Sequence, residues 1–493
     1  MRSDAVSNRP TGVVVREALV ETPIRGRPDP PLRSAPAPSS PRRVLHLPSA
    51  AAYVGARPPP VCPTAPARPC MIRLLLPVIV ACLTALSAAA QDVRVLLLGG
   101  QKLQEATAVA EGAPAEVLGA DGRVLATLPV GRSTPLRRRG TDVSAEGGSA
   151  RAVVVRAGAG GRLALRAGRT ERTYRGQIAA DVENGRLRLI NHVPLDDYVA
   201  AVVAGEYPFE EIEGVKAQAI LARTYALRSR GKYGDYDVVD GTGSQVYFGA
   251  DRETPVTRQA ARETSGIVLT YEGALAEAVY FSSSGGHTTN NEHVWSGAPV
   301  PYLRGVPDPY DAASPYSEWS SRLSRTKLLR ALGRRFGGTV TGIGPGERAP
   351  EGRFKTVVLY GRGGRERHVP ANQFRSAVAG AFGVSALRSA FFEVDRVGDR
   401  YVFDGRGFGH GVGMSQFGAR GQALAGRRYD EILAFYFEGT RLEHRDGGAV
   451  DPLPPVALTR PVAAPAAVVE PLAAPTWTGA GGGGEGTPRR SGW

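Results

Sequence analysis

Cysteine is nearly missing from this chain. Of 493 residues only Cys62, Cys70 and Cys82 are cysteines, and all three precede Gln91. Beyond Gln91 there is therefore no disulfide, no thiol nucleophile and no thiolate metal ligand. Long apolar runs are missing too: the stretch from Leu74 to Leu86 is too short to span a bilayer comfortably. Several enzyme signatures are absent. There is no Gly-x-Ser-x-Gly elbow, and HTTNNEH at 287–293 is not the His-Glu-x-x-His of a zincin. The glycines at 405–421 never fall into Gly-x-Gly-x-x-Gly spacing and lack the Lys-Ser/Thr of a phosphate loop. No nucleic-acid motif is found, so nucleic acid is not expected as a partner.

What is present is an ordinary soluble composition, 42% hydrophobic, with 62 Gly and 38 Pro that imply many turns and loops. The length suggests two to three folded units with tails. Residues 1–70 are rich in Pro, Arg and Ala without any helical or strand period, and read as disordered or as an over-extended gene start. Met71, Arg73, the apolar run and the small residues Ala88 and Ala90 follow in the order of a signal peptide, with cleavage after Ala90. Lipid attachment at Cys82 is the alternative, because IVAC at 79–82 is similar to a lipobox. Signal cleavage leaves no transmembrane anchor. The net charge is +14, and residues 1–70 contribute ten arginines against four acids, so the remainder stays positive. For an exported protein in the periplasm or envelope, that balance suits anionic wall polymers or membrane surfaces.

Residues 91–187 read as a β-rich module. Apolar and polar residues alternate in VRVLLL, ARAVVVRAG and RLALRAG, and the turns ADGR and ENGR suit hairpins because Asp-Gly and Asn-Gly accept positive φ. Helical periodicity starts at 195–206 and resumes at 211–230 after Pro208, with Val215, Ala219, Ala222 and Ala226 as a small-residue stripe. More strands are expected around 266–284, 354–360 and 394–404. The fold class is thus α+β: a β-rich N-terminal module, a mixed α/β domain over 188–446, and disordered termini, the last being the Pro/Ala/Gly tail at 447–493.

Three constellations carry chemistry. Glu206 follows Gly205 and precedes Pro208 between two helical segments, set apart from Glu210, Glu211 and Glu213, which belong to the start of the next helix. A carboxyl on such a turn can sit in a cleft as a general acid. The second is YFSSSGGHTTNNEHVWSG at 280–297, where a turn presents Ser283, Ser284 and His287 to a polar ligand. His287 and His293, six apart, share no helical face, so a metal is not expected. The third is GRGFGHGVGMSQFGARGQALAG at 405–426, which lets backbone approach backbone or ligand and sets His410 on an open, glycine-flanked loop.

Together and in this order these blocks, with LDDYVAAVVAGEYPFEEIEGVKAQAILARTYAL, VDGTGSQVYFG and PYLRGVPDPYD, resemble the SpoIID/LytB family of stage II sporulation protein D and its amidase-enhancer relatives. The resemblance covers about 188–441. It implies a lytic transglycosylase acting on peptidoglycan glycan strands, preferably strands stripped of stem peptides, with Glu206 as its catalytic acid. Such an enzyme needs one carboxylate where ordinary glycosidases need two, because the 6-hydroxyl of the same N-acetylmuramic acid is the nucleophile. Residue chemistry then assigns Lys216, Arg223 and His410 to lactyl carboxylates and Gln245 and Tyr247 to sugar hydroxyls. Gln416 joins Ser283, Ser284 and His287 in the substrate-binding set.

Departures from the family bear on cofactors. Some members carry Cys beside the Gly-Gly-His block and bind zinc there, whereas this chain has Ser282, Ser283 and Ser284, so no metal or cofactor is expected. Tyr207, Phe408 and Phe417 replace Met and Trp as apolar exchanges. The competing function is a non-catalytic glycan-binding enhancer of a cell-wall amidase, in which Glu206 only contacts ligand.

Overall fold

Between Asp92 and Pro194 side chains point alternately inward and outward with the strand period of two. The computed structural model, which describes residues 92–446 and 449–452, makes strands of these stretches. In Asp92–Leu97 the buried residues are Val93, Val95 and Leu97, and in Ala152–Ala157 they are Val153 and Val155. The ENGR turn joins Gln177–Glu183 to Arg186–Pro194 with positive φ at both Asn184 and Gly185, as a tight hairpin twisted like its strands requires.

Two sheets result. One has seven strands in the order 238–239, 92–97, 186–194, 177–183, 152–157, 115–119, 124–128; the other has six, from Thr170–Tyr174 to Gly148–Ala150. Their inward residues, among them Val95, Val155 and Leu189 from the first and Ala108, Leu136 and Leu163 from the second, belong to one core. The same core takes in Tyr198, Val202, Val215 and Leu221 from the helices α1 (Leu195–Glu206) and α2 (Ile212–Arg228) and Ala260 from α3 (Pro255–Glu263). The small-residue stripe of α2 is buried as its period suggests. Val238–Val239 returns from beyond α2 to pair in parallel with Asp92–Leu97. The division placed between 187 and 188 therefore falls inside a strand and inside one continuous core.

A second core was not visible as a separate unit in the sequence. It lies between two three-stranded sheets (319–324, 400–405, 392–397 and 340–345, 356–361, 366–370) and the helices α4 (Arg325–Phe336) and α5 (Ala371–Phe382). Leu328, Leu332, Leu359, Phe374, Phe392 and Phe403 fill it. The chain then returns through Met414–Ser415, which pairs in parallel with Tyr280–Phe281, and through α6 (Gln416–Leu424) and α7 (Tyr429–Tyr436) to a strand, Arg441–Asp446, paired with Ile267–Tyr271. Ala449–Pro452 pairs in turn with Arg441–Asp446, so the sheet passes the limit set at 446. Among the described residues no helix is long and apolar enough to cross a membrane. The expected N-terminal extension, signal peptide and cysteines, and the tail beyond 452, lie outside the described residues.

Candidate active site

The site begins where α1 stops. Tyr207 leaves the helical region (φ −122°, ψ 88°), as a residue before proline tends to, and Glu206 becomes the last helical residue. Gly205 has a specific task there: a Cβ at this position would come within 2.8 Å of the Val246 carbonyl oxygen. Without it the 244–248 segment lies directly against the helix end, and the Val246 amide donates to Glu206 Oε1 at 2.6 Å. Gln416, at the start of α6, donates from Nε2 to the Glu206 carbonyl at 2.9 Å. Both ends of Glu206, backbone and carboxyl, are thus held.

The half-buried carboxyl faces a cavity of about 190 Å³ lined also by Gln245, Tyr280, Arg375 and His410. Glu206 is the one carboxylate among its described lining residues. Gln245 is fixed at both ends of its amide: Tyr198 donates to Oε1 and Nε2 donates to the Tyr280 hydroxyl, each at 3.0 Å. Burial, and then the charge of Glu206, push the Tyr280 phenol well above its usual pKa, so it remains a neutral hydrogen-bonding group.

His410 reaches this cavity from the glycine-rich loop. Gly407 and Gly409 have φ of +73° and +113°, and a Cβ on them would meet the Ser283 carbonyl oxygen and the Phe281 side chain at 2.7 Å, so only glycine allows the loop to lie on the 279–285 segment. Ser283 and Phe408 exchange backbone hydrogen bonds of 2.9 and 2.8 Å across that contact. The imidazole is committed on both nitrogens: Nε2 donates to the Tyr280 carbonyl at 3.0 Å and Nδ1 accepts from the Val412 amide at 3.1 Å. Burial and the guanidinium of Arg375 push its pKa down to about 3. His410 is therefore a neutral wall of the cavity with both nitrogens engaged, where the sequence suggested a ligand for lactyl carboxylates.

Other expected contacts lie elsewhere. Arg223 is fully buried beneath α3, donating to Asp196 Oδ1 at 2.8 Å and to the Ala261 carbonyl, the Thr264 hydroxyl and the Ile267 carbonyl. It is a bracket between helices and has no face for a ligand, since position seven after Lys216 on this helix points inward. Lys216 is paired with Glu213 and Glu263 at 3.0 and 2.8 Å. Tyr247 is buried, donating to Asn191 Oδ1 at 2.6 Å and stacking on Tyr198. None of the three lines the cavity.

The serine-rich turn is likewise internal. Ser283 and Ser415 donate to the two oxygens of Asp311, at 2.7 and 2.8 Å, and the Gly285 amide adds a bond of 2.9 Å. Ser284 is buried, its Oγ accepting from the Gly286 amide at 3.2 Å. Beside Asp311 lies Asp308, buried, accepting from Tyr436 at 3.0 Å; burial and the charge of Asp311 push its carboxyl up to about 7. His287 is turned to the Thr288 carbonyl, 2.6 Å from Nδ1. Among the described residues no three His, Cys, Asp or Glu side chains converge as a metal site.

The sequence reading missed Tyr280 and Arg375. Tyr280 adjoins the serine-rich block and had a signal in that position. Arg375 stands on α5 in the second core, and nothing local to it marks it as part of a cavity with Glu206.

A sequence profile described as stage II sporulation protein, SpoIID, matches residues 183–271. The chain is 34% identical over 280 residues to stage II sporulation protein D of Bacillus subtilis strain 168, covering 52% of this chain and 76% of that protein. It is 31% identical over 288 residues to the amidase enhancer of the same organism, covering 49% of this chain and 39% of that protein. An uncharacterized protein of Brachyspira hyodysenteriae is 32% identical over 274 residues, with coverage of 54% and 71%.

Proposed function

Because the chain belongs to the stage II sporulation protein D family, with a cell-wall role, we propose that it is an exported lytic transglycosylase that cleaves the MurNAc–GlcNAc bond of peptidoglycan, preferring strands stripped of stem peptides. The observation that carries this reading is the solitary Glu206 carboxylate in its cavity. Hydrolysis by either ordinary route uses a second carboxylate about 5–9.5 Å from the first, as nucleophile or as base for water. Asp240, five residues before Gln245 on the segment that leads into the cavity wall, is occupied by the Leu98 amide and by Arg172 at 3.1 and 3.0 Å and does not line the cavity.

With one carboxyl the chemistry closes on the substrate itself. Glu206 gives its proton to the glycosidic oxygen, the bond to the anomeric carbon breaks, and the GlcNAc alcohol leaves. The Glu206 carboxylate then takes the proton from the muramoyl 6-hydroxyl as that oxygen bonds to the anomeric carbon, giving the 1,6-anhydro ring. No water is consumed and Glu206 ends protonated, as it began. The Val246 amide holds the carboxyl in place through both steps, and Gln245 and Tyr280 offer neutral hydrogen bonds to sugar oxygens.

Similarity to an amidase enhancer supports a second reading, a glycan-binding module that stimulates a cell-wall amidase. Glu206→Gln separates the two. It retains shape and hydrogen bonding and cannot donate the proton, so strand cleavage should fall by about 10²–10⁴ while glycan binding persists. A variant that stimulates an amidase fully, in a protein whose wild type cuts no glycan, would establish the module instead.

A further inference from the structure

Behind His410 lies a second, smaller cavity of about 30 Å³. Its polar lining is Arg353, Arg375, His293, His410, Asn372 and Thr289, without a carboxylate. Arg353 is 2% exposed. Its Nη2 donates to the Ser284 and His287 carbonyls, but its Nε and Nη1 are buried without a partner among the described residues. No carboxylate forms an ion pair with it: the nearby Asp311 is held by Ser283, Ser415 and Gly285, and Glu351, whose charge favours the guanidinium, makes no hydrogen bond to it. Burial, the largest influence, lowers the guanidinium to about 10, so it remains charged at neutral pH.

A buried cation with two unpaired donors is costly unless an anion or a full set of hydrogen bonds meets it. Here the cavity adds a second guanidinium, Arg375, to the same space. Of the two imidazoles, His410 donates away from the cavity to the Tyr280 carbonyl, and His293 contacts the Thr289 hydroxyl through Nδ1. The volume exceeds the roughly 10–15 Å³ that one water requires and suits a single small ion. We propose that this cavity binds one small monoanion, a halide or a carboxylate group, against Arg353 and Arg375. Because Arg375, Gly409 and His410 line both cavities, the anion sits beside the Glu206 cleft. It is either a free anion such as chloride or the lactyl carboxylate of a bound muramoyl residue. Only the second occupant rests on the proposed activity; the site itself does not.

The first test needs no glycan. Thermal unfolding of the full chain is followed at fixed ionic strength while gluconate, too large for the cavity, is replaced by chloride or acetate. A ligand at ten times its Kd should raise Tm by roughly 2 °C, and the rise should continue with the logarithm of ligand concentration. Asn372→Asp places a carboxylate in the cavity wall and should abolish both that rise and the broadening of the chloride NMR line by the protein. Arg353→Met should abolish them too, but the Asp variant decides the matter if that protein does not fold. Equal Tm values in the three salts, or an Asn372→Asp protein that still responds like wild type, would overturn the proposal. The occupant is read with Glu206→Gln protein. If the muramoyl carboxylate enters, chloride at ten times its Kd weakens stripped-strand binding about tenfold and leaves N-acetylglucosamine oligomers unaffected. If a free anion resides there, chloride weakens neither.

Discussion

Arg223 and His410 illustrate how far a side chain's chemistry can be read without its surroundings. Both are basic residues near an anionic substrate's expected path, yet one is a buried bracket and the other a neutral wall. Replacing Arg223 by Met removes a buried cation that holds Asp196 and three backbone or hydroxyl acceptors. Because Asp196 is partly exposed, we expect a loss of about 3 kcal/mol, the lower end for a broken buried pair, read by urea denaturation. Glycan affinity of the folded fraction should be unchanged; weakened binding at full stability would restore Arg223 to the ligand site. For His410 the sign follows from its lowered pKa. The folded protein keeps the ring neutral down to about 3, while the unfolded chain binds a proton from about 6.5. Its contribution is thus present above pH 6.5 and is lost as pH falls toward 3. His410→Gln should remove that part of the acid slope in unfolding free energy, and an identical slope in the variant would show that the fold does not hold the ring neutral. The setting apart of Glu206 was legible because Gly205 and Pro208 flank it. The burial of Arg223 was not, since it stands seven residues after the partly exposed Lys216 and so shares that residue's helical face.

At the level of elements, alternation located the strands because each has one buried face, and Pro208 located the break between α1 and α2. Periodicity says which residues share a face; it does not say which faces meet. That is why the continuity of the two large sheets with α1–α3, and the separate core of residues 319–405, had to be seen in three dimensions. The glycine-rich loop was legible as a place of close backbone approach, though not as packing on the 279–285 segment, and the Asp308–Asp311 pair stood unread within PDPYD. Gly205 shows how an element boundary becomes a functional device. Adding one methyl there pushes Val246 off the helix end, so Gly205→Ala should cost about 1–3 kcal/mol of stability by overpacking. It should also lower kcat more than a similarly destabilising change in the second core, because the Val246 bond to Glu206 is displaced. Wild-type kcat in a destabilised Gly205→Ala protein would mean that this bond does not position the acid.

Across the whole molecule, the cleft is assembled from distant parts: Glu206 from the end of α1, Gln245 from a connecting segment, Tyr280 from the short strand Tyr280–Phe281, His410 from the glycine-rich loop and Arg375 from the second core. The second core thereby gives the site its lining cation, and the first gives it the acid. The central claim is that a single carboxylate serves both halves of the reaction and that the substrate supplies its own nucleophile. Mass spectrometry of the fragments released from peptidoglycan by purified protein tests this most directly. The account predicts muramoyl ends in the 1,6-anhydro form, lighter by one water than hydrolysis products, from wild type and almost none from Glu206→Gln. Reducing ends from the wild-type protein would contradict it, because water activated by another group would then be the nucleophile.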